Sequence, residues 1–336
     1  VPLFNSQDIL VVGAGVLGLC TATELTRRGH AVTVVDPGGL NASAVAAGMI
    51  APAMESAVDD LSPQHAALLR RARDAWVDFA AATGVRLDRD AAEWCGGNVE
   101  VLAARLAALG FEHAYDRETG RLITQEDWKV EPAQALAVLT RGVRMLEARA
   151  TALSRSDGRW CVETTAGPIE ADQVVLATGA GAALGGLPET AARLLDLISP
   201  IRGQIGLVNE RLVDRVVRGP GAYVAPMGTG CVIGATMEAG ERSLTPDPER
   251  CAQMLEAAWA VLGQTPRPLQ IEWRVGVRGA TPDGLPMAGA VEEGLHLALG
   301  PRRNGWLLGP LVASVVADEV EGRSSKEPTL APRRFI

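Results

Sequence analysis

The chain has 336 residues, 47% hydrophobic and 21% charged, with a formal net charge of −8; the length predicts two domains, and the acidic balance argues against nucleic acid as a partner. Five cysteines without a C-x-x-C pair and four dispersed histidines give no disulfide framework and no metal site, which fits a reducing, cytoplasmic setting. No apolar run reaches the roughly 18 residues of a membrane helix, and the opening Val1-Pro-Leu-Phe-Asn-Ser-Gln lacks a basic stretch ahead of a hydrophobic core, so neither membrane insertion nor a signal peptide is expected.

In chain order, Asp8-Ile-Leu-Val-Val-Gly13 is a short apolar run ending in glycine, the pattern of a buried parallel strand. Val16 to Arg28 follows as an amphipathic helix closed by Gly29, and Ala31 to Val35 as a second strand ending at Asp36. Residues 41–53 are small and read as a loop and helix start against something flat. Helices are expected over Leu61–Thr83, over Val99–Leu109, and from Glu131-Pro132 to about Arg149. Arg159 to Thr165 alternates, turns at Gly167 and returns through Ile169, a hairpin. Asp172 to Gly179 is another apolar strand running into glycine. Residues 201–208, 222–225, 231–236 and 270–277 are strand-like, Pro248–Leu262 is helical, and Asn304–Glu321 is an apolar helix.

Gly13-Ala-Gly15-Val-Leu-Gly18 is G-x-G-x-x-G between a strand and the helix it opens. Gly13 permits the tight turn, Gly15 lets backbone approach a pyrophosphate, and Gly18 lets helix and strand pack closely. Val16 and Leu17 then supply N–H groups at the positive end of the helix dipole. Asp36 is placed for ribose hydroxyls and disfavours a 2′-phosphate, hence NADP. The fingerprint alone leaves FAD and NAD open; the strand ending in Ala177-Thr178-Gly179 favours FAD.

Further segments resemble the glycine oxidase branch of the D-amino-acid oxidase family of flavoproteins. They are Ala42-Ser-Ala-Val-Ala-Ala-Gly-Met-Ile-Ala-Pro52, Pro200-Ile-Arg-Gly-Gln204, Tyr223-Val-Ala-Pro226 with Val232-Ile-Gly-Ala-Thr-Met237, Gly276-Val-Arg278-Gly-Ala-Thr-Pro-Asp-Gly-Leu-Pro286, and Gly300-Pro-Arg-Arg303-Asn-Gly-Trp-Leu-Leu-Gly-Pro310. They stand in family order and span most of the chain. The resemblance implies a Rossmann-like FAD-binding domain (1–85, 131–200 and 275–336) interleaved with a smaller α+β substrate domain on an antiparallel-rich sheet (86–130 and 201–274).

By the same resemblance, Arg278 clamps a substrate carboxylate and Tyr223 is the clamp's second donor. Arg303 lies beside the flavin, Asn304 and Gly305 begin a helix facing its pyrimidine end, and Met49 and Met237 wall the substrate pocket. Ser43, Ala47, Gly48, Met49, Ala152 and Trp306 complete the expected cofactor contacts. The implied activity is oxidative deamination of a small amino acid (glycine, sarcosine or a small D-amino acid), with molecular oxygen as acceptor and a place in thiamin thiazole synthesis. An oxidase or dehydrogenase of N-methylated amines or 2-hydroxy acids is the alternative, and a homo-oligomer is left open. No cysteine stands in the 276–286 motif, so non-covalent FAD is expected. Two departures bear on the substrate: Pro301 and Arg302 replace the usual histidine and aromatic, and the region from Asp88 to Lys129 is short.

Overall fold

The computed structural model of the chain describes residues 6–181 and 184–336. The first five residues, on which the signal-peptide expectation turned, lie outside them. Asp8–Val12 is flanked on one side by Ala31–Asp36 and then Arg144–Glu147, and on the other by Gln173–Leu176 and then Leu295–Leu299, all parallel; Met287–Glu292 closes that edge antiparallel. Side chains of the central strand alternate between two cores. Ile9 and Val11 face the helices Val16–Arg27, Pro63–Thr83, Pro132–Arg141 and Gly305–Val320, while Leu10 and Val12 face the small sheet of Ala150–Ser156, Arg159–Thr164 and Ile169–Ala171. A strand buried on both faces explains the unbroken apolar run of residues 9–12.

A second, nine-stranded sheet is mostly antiparallel. Its long pair, Ser199–Val208 against Ile271–Ala280, continues through Gly230–Gly234, Ala222–Met227 and Val216–Gly219 to Ala92–Cys95, Arg121–Thr124 and Ala114–Asp116. Val224 and Ile233 on one face pack under the helix Pro248–Leu262. Tyr223, Ala225 and Val232 on the other meet Val45, Ala47 and Met49 from the 41–53 segment. The Rossmann-like layer and the antiparallel substrate layer expected from sequence are both present.

One element differs in kind. The helix expected to run to Arg149 stops at Arg141, where Gly142 follows, and Arg144–Glu147 extends as the edge strand beside Thr33–Asp36. A strand paired to a parallel neighbour outcompetes a helix whose last residues would have no apolar face to bury. The strand Ala150–Ser156, the helix Glu189–Asp196 and the hairpin Met287–Leu299 had no counterpart among the expected elements.

Candidate active site

The three central parallel strands end together, which brings Gly13, Asp36 and Ala177 to one edge, the place where open α/β sheets bind ligands. Gly13 has φ +111°, and a Cβ there would sit 2.4 Å from the Ala177 carbonyl oxygen. A Cβ on Gly18 would lie 2.0 Å from the Gly13 carbonyl oxygen. Gly15, by contrast, would meet nothing closer than the Ser43 hydroxyl at 3.4 Å, so its bare face is open to a ligand. The Ala14 and Gly38 amides donate to Asp36 at 2.7 and 2.8 Å, fixing the carboxylate at the strand's end. The Val16 amide, first in its helix, donates to the Ser43 hydroxyl at 2.9 Å, and Trp306 Nε1 donates to the Ser43 carbonyl at 3.1 Å.

Three cavities run continuously from there. The first, about 350 Å³, is lined by Gly13, Gly15, Asp36, Ser43 and Ala177 to Gly179. A narrow one, about 100 Å³, lies over Gly15, Val16, Leu17 and Ser43 and touches Arg303, Gly305 and Trp306. The last, about 340 Å³, is walled by Ala47, Gly48, Met49, Tyr223, Met237, Arg278, Arg303, Asn304 and Trp306. Adjacent cavities share residues, Gly15 and Ser43 at one junction and Arg278 and Arg303 at the other.

Of the residues singled out in the sequence, two do not line this channel. Gly18 is a packing residue under the loop, as its role requires. Ala152 bridges to Gly185 away from the cavity, and Arg149 and Ala150 stand at the wall in its place, because the strand bulges between Ala150 and Ala152.

The electrostatic centre of the last cavity was not legible beforehand. Glu55, only 5% exposed, accepts from Arg218 Nη2 at 2.8 Å and from Arg303 Nε, while Arg303 Nη2 pairs with Asp59 at 2.9 Å. Glu55 and Asp59 sit four residues apart, at the start and just past the end of the short helix Pro52–Val58, so the two face the same arginine. Burial alone would push the Glu55 carboxyl up, but the charges of Arg218 and Arg303 and their hydrogen bonds hold it below its ordinary value. Arg302, at the wall of the middle cavity, also donates to Asp59, at 3.0 Å. A lone acid in the small apolar stretch Ala51–Ala57, and a lone arginine between Val217 and Gly219, were the available signals.

Arg278 has no carboxylate partner among the described residues. Its Nη1 approaches the Thr236 carbonyl and the Met237 sulfur, each at 3.4 Å. Burial pushes its pKa down, and Arg303 and Arg302 add to that, although a guanidinium stays charged. Burial likewise raises the Tyr223 phenol, against the pull of Arg278 and Arg218. A half-buried cation with a phenol beside it and no anionic partner among the described residues has hydrogen-bonding capacity free for an anionic ligand.

FAD fits the channel on this chain's own features. The Thr178 hydroxyl is buried without a partner at the first cavity, Gly15 leaves the space a Cβ would fill, and Gly305 opens a 16-residue helix at the last two. Among the described residues no helix is long and apolar enough to cross a membrane, and no cluster of His, Cys, Asp and Glu has the arrangement of a metal site.

A dinucleotide cradle that opens into a cavity holding a half-buried arginine is the arrangement of a nucleotide-cofactor enzyme with room for a second ligand beside the cofactor. A profile of the family described as FAD dependent oxidoreductase (DAO) matches residues 8–319, and the chain belongs to that family, with FAD as cofactor. The glycine oxidase of Pseudomonas putida is 28% identical to it, with 98% of each chain covered. The bifunctional protein ThiO/ThiG of Trichormus variabilis is 30% identical over 97% of this chain, which spans 54% of that protein's length. Among solved structures, glycine oxidase from Geobacillus kaustophilus superposes with a TM-score of 0.81 at 24% identity, covering 99% of this chain and all of the other. The expected resemblance to glycine oxidases is thus matched in sequence and in fold.

Proposed function

We propose that this chain is a non-covalent FAD oxidase of a small amine that carries a carboxylate, with glycine, sarcosine and small D-amino acids as its substrate class. The observation that carries the reading is the half-buried Arg278 guanidinium in the last cavity, which has a tyrosine beside it and no carboxylate partner among the described residues. Arg278 holds the substrate carboxylate through two N–H groups and Tyr223 donates a third hydrogen bond, which orients the α-carbon. When bound, FAD supplies the acceptor for the hydride of the α-C–H bond. The substrate leaves that step as an imine, water hydrolyses it to an oxo acid and ammonia (methylamine from sarcosine), and dioxygen takes the electrons as hydrogen peroxide.

Glu55 and Asp59 are both committed to arginines, so neither serves as base for the substrate ammonium; the amine binds neutral. In this proposal residues 1–85, 131–200 and 275–336 serve the cofactor, with Arg278 reaching the substrate from the last of these, and 86–130 and 201–274 serve the substrate. The ThiO part of the relatives' names supports a place in thiamin thiazole synthesis.

Anaerobic flavin bleaching with glycine, sarcosine, D-alanine and D-proline, then peroxide detection in air, tests the reading. Arg278→Met should raise KM at least about 30-fold for whichever substrate bleaches the flavin, the lower end of the loss expected for one side of a buried charge pair. An unchanged KM would sink the assignment.

A further inference from the structure

Arg278 and Tyr223 share a sheet face with two glycines whose absent side chains decide where the clamp lies. Ile201 is the cross-strand partner of Arg278, and the guanidinium reaches diagonally over Gly203, itself paired with Gly276. A Cβ on Gly203 would sit 2.2 Å from Nη1, 2.3 Å from Nη2 and 2.4 Å from Cζ. Tyr223 pairs with Gly234, where a Cβ would sit 2.3 Å from the phenol oxygen and 2.4 Å from Cζ. Neither glycine has positive φ, so a left-handed backbone is not what calls for them. Each is needed for space, and in each case the space is filled by the working end of a clamp residue. Both belong to the face turned to the 41–53 segment: a Cβ on Gly276 would meet Ala42 and Val45, and Ile205, two residues beyond Gly203, packs on Val45.

We propose that Gly203 and Gly234 are positioning residues that set the depth of the carboxylate clamp. Lying flat on bare backbone, the guanidinium and the phenol define one low floor, and the height of that floor fixes how far the substrate α-carbon stands from the cofactor. A methyl group at 203 forces the guanidinium up by about 1 Å to reach ordinary contact distance, and a misplacement of that size costs on the order of 100-fold in rate. The inference rests on the proposed role of Arg278 and is tested so that the two can fail separately.

The experiment is a double-mutant cycle on the flavin-loaded protein with Gly203→Ala, Arg278→Met and the pair, read by kcat and KM for whichever amine bleaches the flavin and by the Kd of acetate from the flavin difference spectrum. Gly203→Ala alone should lower kcat/KM by about 100-fold and weaken acetate, with flavin content retained. In the Arg278→Met background, Gly203→Ala should add less than about 2-fold, because the group it displaces is gone. Gly234→Ala should behave the same way against Tyr223→Ala. Additive losses would mean that the glycines serve general packing and would overturn the proposal. If Arg278→Met leaves KM and acetate binding intact, the functional reading itself fails. Should Gly203→Ala not retain flavin, Gly203→Ala/Arg278→Ala decides: recovery supports the clash, and continued loss refutes it.

Discussion

Asp127 is the group whose titration should be visible in the stability of the whole protein. It is 2% exposed and accepts from the Ala53 and Met54 amides at 2.8 and 3.1 Å, at the start of the helix that carries Glu55. Burial pushes its carboxyl up from 3.8 to about 7, against the pull of Arg218 and the two amides. Because the folded pKa lies above the unfolded one, the folded state binds the extra proton between those values. The contribution of Asp127 to stability is therefore greatest on the acid side, falls as pH rises towards 7, and is flat beyond it. The slope is at most about 1.4 kcal/mol per pH unit, so an interval of about three units gives a ceiling of roughly 4 kcal/mol.

Asp127→Asn removes that titration but leaves only one oxygen for two amides, a loss of roughly 1–3 kcal/mol. The variant should be more stable than the native protein at pH 8, by about 1–3 kcal/mol, and no more stable at pH 5. Urea unfolding of the flavin-saturated proteins, followed by tryptophan fluorescence from pH 5 to 8.5, measures this directly. Two curves running parallel at a constant offset would show that Asp127 is ionised throughout and that the argument is wrong.

Glu55→Gln leaves Arg218 and Arg303 buried with one carboxylate fewer, and should destabilise by about 3 kcal/mol at pH 7, the lower end for a broken buried pair because Arg303 keeps Asp59. The Glu55 pKa is held below its ordinary value, so this contribution is present above the unfolded pKa and fades as pH falls through the folded one; melting temperatures at pH 7 and pH 4 should show the gap closing. Gly18→Ala should purify with little flavin, since its Cβ would overlap the Gly13 carbonyl oxygen; a fully yellow protein would contradict the packing role. Asp36→Ala frees the Ala14 and Gly38 amides and removes an acceptor at the first cavity, so the Kd for FAD should rise by about 10- to 100-fold in a fluorescence-quenching titration, the range for hydrogen bonds to a charged group. With a neutral amine as the bound form, kcat/KM should rise about tenfold per pH unit below the substrate's amine pKa, and a flat profile from pH 7 to 9 would imply a protein base.

Which parts of this molecule could be read from sequence follows from how local their physics is. Gly13, Gly15, Gly18 and Asp36 act within one strand-turn-helix-strand unit, so their spacing alone is informative. The helix Pro248–Leu262, opened by the Asp247 cap and closed at Gly263 in a left-handed conformation, is legible for the same reason. Arg144–Glu147 was misread because nothing in those four residues announces a strand; the neighbour that makes it one is more than a hundred residues away.

The same reasoning separates the clamp from its support. Arg278 and Tyr223 lie in segments distinctive enough to be matched, whereas Glu55, Asp59, Arg218, Gly203 and Gly234 acquire meaning only across strand pairs and between layers. Glu55 in a run of small residues looks like a surface acid until Arg218, 163 positions away, is brought to 2.8 Å. Gly203 falls inside the strand-like stretch 201–208, yet nothing local announces that it lies beneath the side chain of Arg278. Sequence therefore exposes the groups that touch ligand more readily than those that set their charge and height. If the support set the clamp only weakly, the lost density of contacts around Glu55 and Gly203 would cost stability alone; a change in KM at unchanged flavin content is the sign that it sets the chemistry too.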